Sequence, residues 1–156
     1  MRNTWMAIII AVVLIGCTGS RPARLGVMSG KFIPCPDSPN CVCSQDPVHS
    51  RSIEPLIYKG LHEEARTRLL GVIQGMKQAK VVTAQERYLH VEFTSAVFRF
   101  VDDAEFFVDD TQKVIHMRSA SRLGHYDFGV NRKRMETIRE MFNKSAKTNT
   151  DIKRIE

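Results

Sequence analysis

Tyr88-Leu89-His90-Val91-Glu92-Phe93 decides the fold. Leu89, Val91 and Phe93 alternate with Tyr88, His90 and Glu92, the two-residue period of a strand with one buried face. Upstream, Lys80 to Ala84 is short and β-branched. Downstream, Ala96 to Asp102 reads as a further strand with Phe98 and Phe100 on one face, Glu105 to Asp109 carries Phe106 and Val108, and Val114 to Ser121 alternates less cleanly. Asp102-Asp103 and Asp109-Asp110-Thr111-Gln112 read as the turns between them. Connections this short imply an antiparallel meander.

Helical periods flank these strands. From Glu63 to Lys77, the residues Ala65, Leu69, Val72, Ile73 and Met76 fall on one face of an amphipathic helix, with Glu63 and Glu64 suiting the dipole of its first turn. A last helix starts between Asp127 and Asn131 and carries Met135, Ile138, Met141 and Phe142 as its apolar stripe. Ser52 to Lys59 is expected as an edge strand, because Pro55 is excluded from a central one. The sum is a two-layer α+β domain of order β-α-β-β-β-β-α. It has an antiparallel sheet of about four to five strands and two main helices on one face.

The N-terminus reads differently. Arg2 precedes an apolar run that ends at Ile15, too short to cross a bilayer, which takes about 20 residues. It suits the apolar core of an export signal. The run closes on Leu14-Ile15-Gly16-Cys17, which resembles the lipobox of bacterial lipoproteins. The expected organisation is a signal peptide over 1–16, a lipid-anchored tether over 17–31, one domain over 32–143 and a basic polar tail over 144–156. Cys17 is the expected lipidation site, and its thiol takes up the diacylglyceryl group. Acyl chains on Cys17 would place the protein on a membrane of the bacterial cell envelope. Thr18 after the cysteine favours the periplasmic face of the outer membrane over the inner membrane.

The chain of 156 residues carries a net charge of +6. From Arg132 to Glu156 there are eight basic and four acidic side chains, so most of the excess sits at the C-terminal end. Such an end suits a solvated helix face or an anionic lipid surface. Export and the lack of a basic groove interleaved with aromatics argue against nucleic acid.

Cys35-Pro36-Asp37-Ser38-Pro39-Asn40-Cys41-Val42-Cys43 reads as consecutive turns. Oxidising conditions outside the cytoplasm favour a Cys35–Cys41 bridge. Cys41–Cys43 closes too small a ring. Cys43 is then left over, either buried or open to exchange. A metal site of Cys35, Cys41, Cys43 and His49 is the competing reading, weakened by the lack of paired C-x-x-C spacing.

Arg118 to Arg134 concentrates cations, hydroxyls and glycines between the final strand and the final helix. Arg132, Lys133 and Arg134 near a helix start oppose its dipole, by about 0.3–1 kcal/mol each, so something negative is expected beside them. An internal network with Asp102, Asp103 and Asp127 answers this. So does a bound anion held by Arg118, Ser119, Ser121, Arg122, Asp127, Asn131 and Arg132.

Four segments resemble one family: Cys35 to Val42, Phe98-Arg99-Phe100-Val101-Asp102-Asp103, Arg118-Ser119-Ala120-Ser121-Arg122, and Asp127 to Arg134. In order and spacing, over about residues 32 to 143, they look like domain-of-unknown-function family 1499. The resemblance implies an exported or membrane-associated domain and supplies no activity. Cys43 stands where the family is expected to carry Ser, which supports a Cys35–Cys41 pair.

A catalytic set of Ser119 or Ser121 with His116 or His125 and Asp127 can be drawn, but no G-x-S-x-G elbow supports it, and His116 falls on the strand face opposite the serines. The chain has no H-E-x-x-H, P-loop or dinucleotide-binding motif, so no cofactor or metal is expected. The leading expectation is a lipid-anchored binding or assembly module with an arginine-rich anion-binding cleft. Its partner is an anionic small molecule, a lipid headgroup or another envelope protein. A small hydrolase or transferase and a purely structural envelope lipoprotein are the rivals.

Overall fold

The computed structural model describes residues 19–22 and 24–152, with side chains described as far as Ala146. The expected signal segment 1–16, the lipidation site Cys17 and residues 153–156 lie outside them. Strands β1 (Val27–Met28) and β2 (Lys31–Phe32) form a small hairpin. β3 (Cys41–Cys43), β4 (Leu56–Ile57), α1 (His62–Gln74), β5 (Ala79–Ala84), β6 (Tyr88–Thr94), β7 (Val101–Asp109), β8 (Val114–Ser121) and α2 (Val130–Ile152) follow. The main sheet runs β3-β8-β7-β6-β5, with β4 pairing on β8 beyond β3, and all its ladders are antiparallel. This is the α+β class and the strand–helix order expected, with three short strands added in front. No helix among the described residues is long and apolar enough to cross a membrane.

Both helices pack on one sheet face. Ala65, Leu69, Val72 and Ile73 of α1 and Met135, Ile138 and Phe142 of α2 are buried against Leu89, Val91, Phe93, Ala104, Phe106, Val108, Ile115 and Met117. Each large apolar side chain so buried stabilises the fold by about 1.5–3 kcal/mol. Arg68 lays its guanidinium 3.8 Å over the Phe142 ring. Met141, expected in the stripe, stays partly exposed. α1 stops at Gln74, so Met76 reaches the core from the following turn.

Five expectations need correction. Ala96 to Asp102 is not a strand: residues 95–100 form a turn closed by Ser95, whose N–H bonds the Phe100 carbonyl and whose Oγ accepts the Phe100 N–H. Arg99 adopts a φ of 59° in it, and no partner strand is there to reward the Phe98/Phe100 alternation. Asp102-Asp103 is not a turn but lies in the continuous β7, paired to Phe93 and Glu92 on one side and Ser121 and Ala120 on the other. Cys41–Cys43, read as turns, is a strand on β8. The strand expected over Ser52 to Lys59 shrinks to Leu56–Ile57. Beyond Lys144, where the apolar pattern fades, α2 continues to Ile152.

β5 is the free edge of the sheet. Its register on β6 shifts between Val81 and Thr83, and Arg66 of α1 donates to the carbonyls of Ala84 and Gln85 at its end.

The second face of the sheet is covered by the N-terminal segment instead of a helix. Phe32, Cys35, Cys41 and Cys43 are buried there with Val27, Tyr88 and Phe107 packed around them. Cys35 and Cys41 are joined as a disulfide. Cys43 is free and buried, and burial pushes its thiol pKa up, which leaves it a poor nucleophile.

Candidate functional site

The face under the N-terminal segment is built from charges. Antiparallel partners share a face, so His90, Glu105 and Arg118 form one row across β6, β7 and β8, and Glu92 and Asp103 form the next. Glu105 is fully buried and accepts from Arg118 Nη1 (3.0 Å), the Tyr88 hydroxyl (2.8 Å) and the Gly26 N–H (2.6 Å). Arg118 also donates to the Ile33 carbonyl at 3.0 Å. These bonds pin the N-terminal segment to the sheet.

In the next row Arg122 grips Asp103 through both Nε (2.8 Å) and Nη2 (2.7 Å) and reaches Glu92 at 2.6 Å. Arg21 closes on the same Glu92 oxygen at 2.6 Å. Burial works against the Asp103 charge, but the hydrogen bonds from Arg122 and His90 outweigh it and hold the carboxyl below its usual range. Glu92 is lowered in the same way, burial being overcome by Arg122 and Arg21. The Arg122 guanidinium is correspondingly held in its charged form, chiefly by its bonds to Asp103. Burial and the Glu105 charge push the Tyr88 hydroxyl far above its ordinary pKa, so it stays a donor.

The seven residues expected to hold an anion do not form one cleft. Arg118 and Arg122 are neutralised on this charged face. Ser119 and Ser121 point the other way, where both bond Asn131, which is fully buried and also donates to the Asn40 carbonyl. Asp127 accepts the N–H groups of Gly129 and Asn131 and so caps the start of α2. Arg132 reaches the Ser50 carbonyl. The anions that answer Arg118, Arg122 and Arg134 are therefore internal. Arg134 pairs with Asp102 at 2.6 Å and stacks over Phe93, while Glu92 and Glu105, which the sequence reading leaves out, do the rest. Nor does the catalytic set assemble, since His116 bonds Ser44 on the face opposite Ser119 and Asp127 is committed to the helix cap.

What the structure brings together instead is an open groove of about 800 Å³ between the N-terminal segment and the β5–β6 hairpin. Leu25, Val27 and Phe107 give it apolar walls, and Arg21, Glu86, Arg87 and His90 give it polar ones. Arg87 is exposed and has no salt bridge among the described residues. His90 is 3% exposed, and its Nε2 lies 2.7 Å from Asp103. Because Asp103 is held ionised, the His90 Nε2–H donates to it. The parity of Tyr88, His90 and Glu92 carries the only signal for this site. It reads as a solvated face until the acids of β7 and the arginines of β8 are placed in register behind it. No group of three metal-ligating side chains gathers among the described residues.

No curated protein and no solved structure matches the chain. A family model described as "Protein of unknown function (DUF1499)" matches residues 31–142, the span from β2 through the apolar stripe of α2. The chain belongs to the DUF1499 family.

Proposed function

We propose that this is an exported, lipid-anchored binding module of the bacterial envelope, and that its ligand is an amphipathic anion held in the groove between the N-terminal segment and β5–β6. The observation that carries the reading is Arg87, a cation without a salt bridge among the described residues, standing with Arg21 over a groove whose apolar walls are Leu25, Val27 and Phe107 and whose one carboxylate is Glu86. An apolar body against those walls and a carboxylate or phosphate on Arg87 match the ordinary composition of a small-molecule site. Arg118 and Arg122, first expected to take the anion, serve as the fixed base of the site, because their charges are already matched. Acylation of Cys17 and residence on the periplasmic face of the outer membrane complete the proposal and rest on the lipobox.

Native mass spectrometry of the full chain released from membranes in mild detergent tests the binding role. A co-purified anionic amphiphile, lost from Arg87→Glu, is the expected result, and a ligand-free mass for the unaltered chain overturns it. Unchanged processing when lipoprotein signal peptidase is inhibited overturns the anchor.

A second reading is a small hydrolase or transferase. It moves from His125 and Asp127 to His90, because a histidine oriented by an ionised aspartate and lining a groove has the geometry of a general base. Loss of turnover in His90→Gln with the fold retained would favour it, once a substrate is in hand.

A further inference from the structure

Two loops and a turn meet at one end of the sheet. The β6–β7 turn (95–100) and the β8–α2 loop (122–129) are joined where the Arg122 N–H bonds the Val101 carbonyl. The turn after α1 is joined to them where the Thr94 N–H bonds the Gln78 carbonyl. From this end project Val97 (80% exposed), Phe98 (67%), Tyr126 (63%) and Phe128 (89%). Phe98 stacks on Phe100 and Tyr126 meets Phe128 edge-on, so each loop presents a paired aromatic tip. Arg99 and Phe128 hold φ values of 59° and 54°, in a region that bulky side chains occupy rarely. Lys77, Arg99 and Lys133 are exposed around the tips. The one carboxylate among these segments, Asp127, is turned inward to cap α2.

Gly19, the first described residue, lies here too. Gly19 is so close to the β8–α2 loop that a Cβ on it would lie 3.0 Å from both the Arg122 Cβ and the Leu123 Cγ. Cys17 is two residues before Gly19 in the sequence.

We propose that this end docks on an anionic lipid bilayer, with the aromatic tips at the level of the headgroups and Lys77, Arg99 and Lys133 over lipid phosphates. Aromatic rings favour that depth, and basic residues beside them are drawn to anionic lipid. Two acyl chains on Cys17 would already anchor the protein, and a contact of this kind sets the orientation in which it is held. The surface is separate from the groove, and it can be tested whatever holds the N-terminus to the membrane.

The test uses the full chain with Trp5→Phe, so that one introduced tryptophan reports alone. It is reconstituted in phosphatidylethanolamine/phosphatidylglycerol vesicles containing lipid brominated on its acyl chains. Phe98→Trp and Phe128→Trp are the probes. Ile57→Trp is the control: Ile57 is 73% exposed and pairs with Val114, at the other end of β8. Blue-shifted emission and several-fold stronger quenching at 98 and 128 than at 57 are expected. Lys77→Glu with Arg99→Glu and Lys133→Glu should lower that quenching in anionic vesicles and leave it unchanged in neutral ones. Equal quenching at all three positions overturns the proposal, even if the protein sediments with the vesicles, because sedimentation reads the tether and quenching reads the face. A cooperative urea melt for each variant establishes that the fold is retained.

Discussion

The two faces of the main sheet are built from the same strands and solve burial by opposite means. Under the helices, Leu89, Val91, Phe106 and Met117 exclude water with side chains that ask nothing of their neighbours but shape. Under the N-terminal segment, His90, Asp103, Glu105 and Arg118 exclude water just as well, all less than 8% exposed, and each needs a named partner. Close packing tolerates a neighbour of similar volume. A buried ion pair does not tolerate the loss of one member. The charged face is therefore the less forgiving of the two, and its His90 lines the groove.

Arg122→Ala should break this contrast hardest. It abandons two carboxylates, Asp103 and Glu92, and is expected to lower stability by about 3–5 kcal/mol in urea melts at neutral pH. Phe106→Ala on the other face should cost a similar amount, about 3–5 kcal/mol, through the cavity it leaves. Acid separates the two. Asp103 and Glu92 have folded pKa values below their unfolded ones, so the stability they contribute is complete above the unfolded carboxylate pKa, near 4, and is lost as pH falls through the lower folded values. Melts repeated at pH 3 should shrink the Arg122→Ala deficit and leave the Phe106→Ala deficit intact.

A smaller effect belongs to the disulfide. Replacing Cys35 and Cys41 together by Ser should cost about 2 kcal/mol, the loop-closure value for a short ring, and should loosen β3 from β8 in hydrogen exchange. Asp127→Ala removes the cap from α2 and should cost about 1 kcal/mol, read from the same melts. The smallest prediction concerns His116. Burial lowers its pKa, so its neutral form contributes stability above pH 6.5 that fades as pH falls from there toward the folded value. His116→Gln should flatten that part of the stability profile.

The apolar face was legible in the sequence, and the charged face only in part. Period alone places Leu89, Val91 and Phe93 inside, and the α1 and α2 stripes follow from the same rule. Oxidising conditions and spacing point to Cys35–Cys41, and the structure has that bond. Charged residues carry no such mark. Asp102-Asp103 has the composition of a turn; its pairing with the arginines is expected from charge, and Arg122–Asp103 is such a pair, but only register shows that Arg134 of α2 takes Asp102. Glu105 and Arg118 lie 13 residues apart, a pairing that exists only once β7 and β8 are side by side. The groove carries no mark in the sequence for the same reason, since Arg87 and His90 gain meaning from Arg21, Leu25 and Val27, far off along the chain. In the β6–β7 turn the error ran the other way: Phe98 and Phe100 mimic a strand period and are exposed.

The shifted register on β5 has a consequence for solubility. An open strand with straight, free amides invites a second molecule to zip onto it, and a lysine plus a kink in the pairing is a common natural guard against that growth. Here Lys80 stands on the open strand, the irregularity falls at Val81 to Thr83, and Arg66 occupies the last carbonyls. Neighbouring copies can therefore be concentrated without seeding fibrils from this flank.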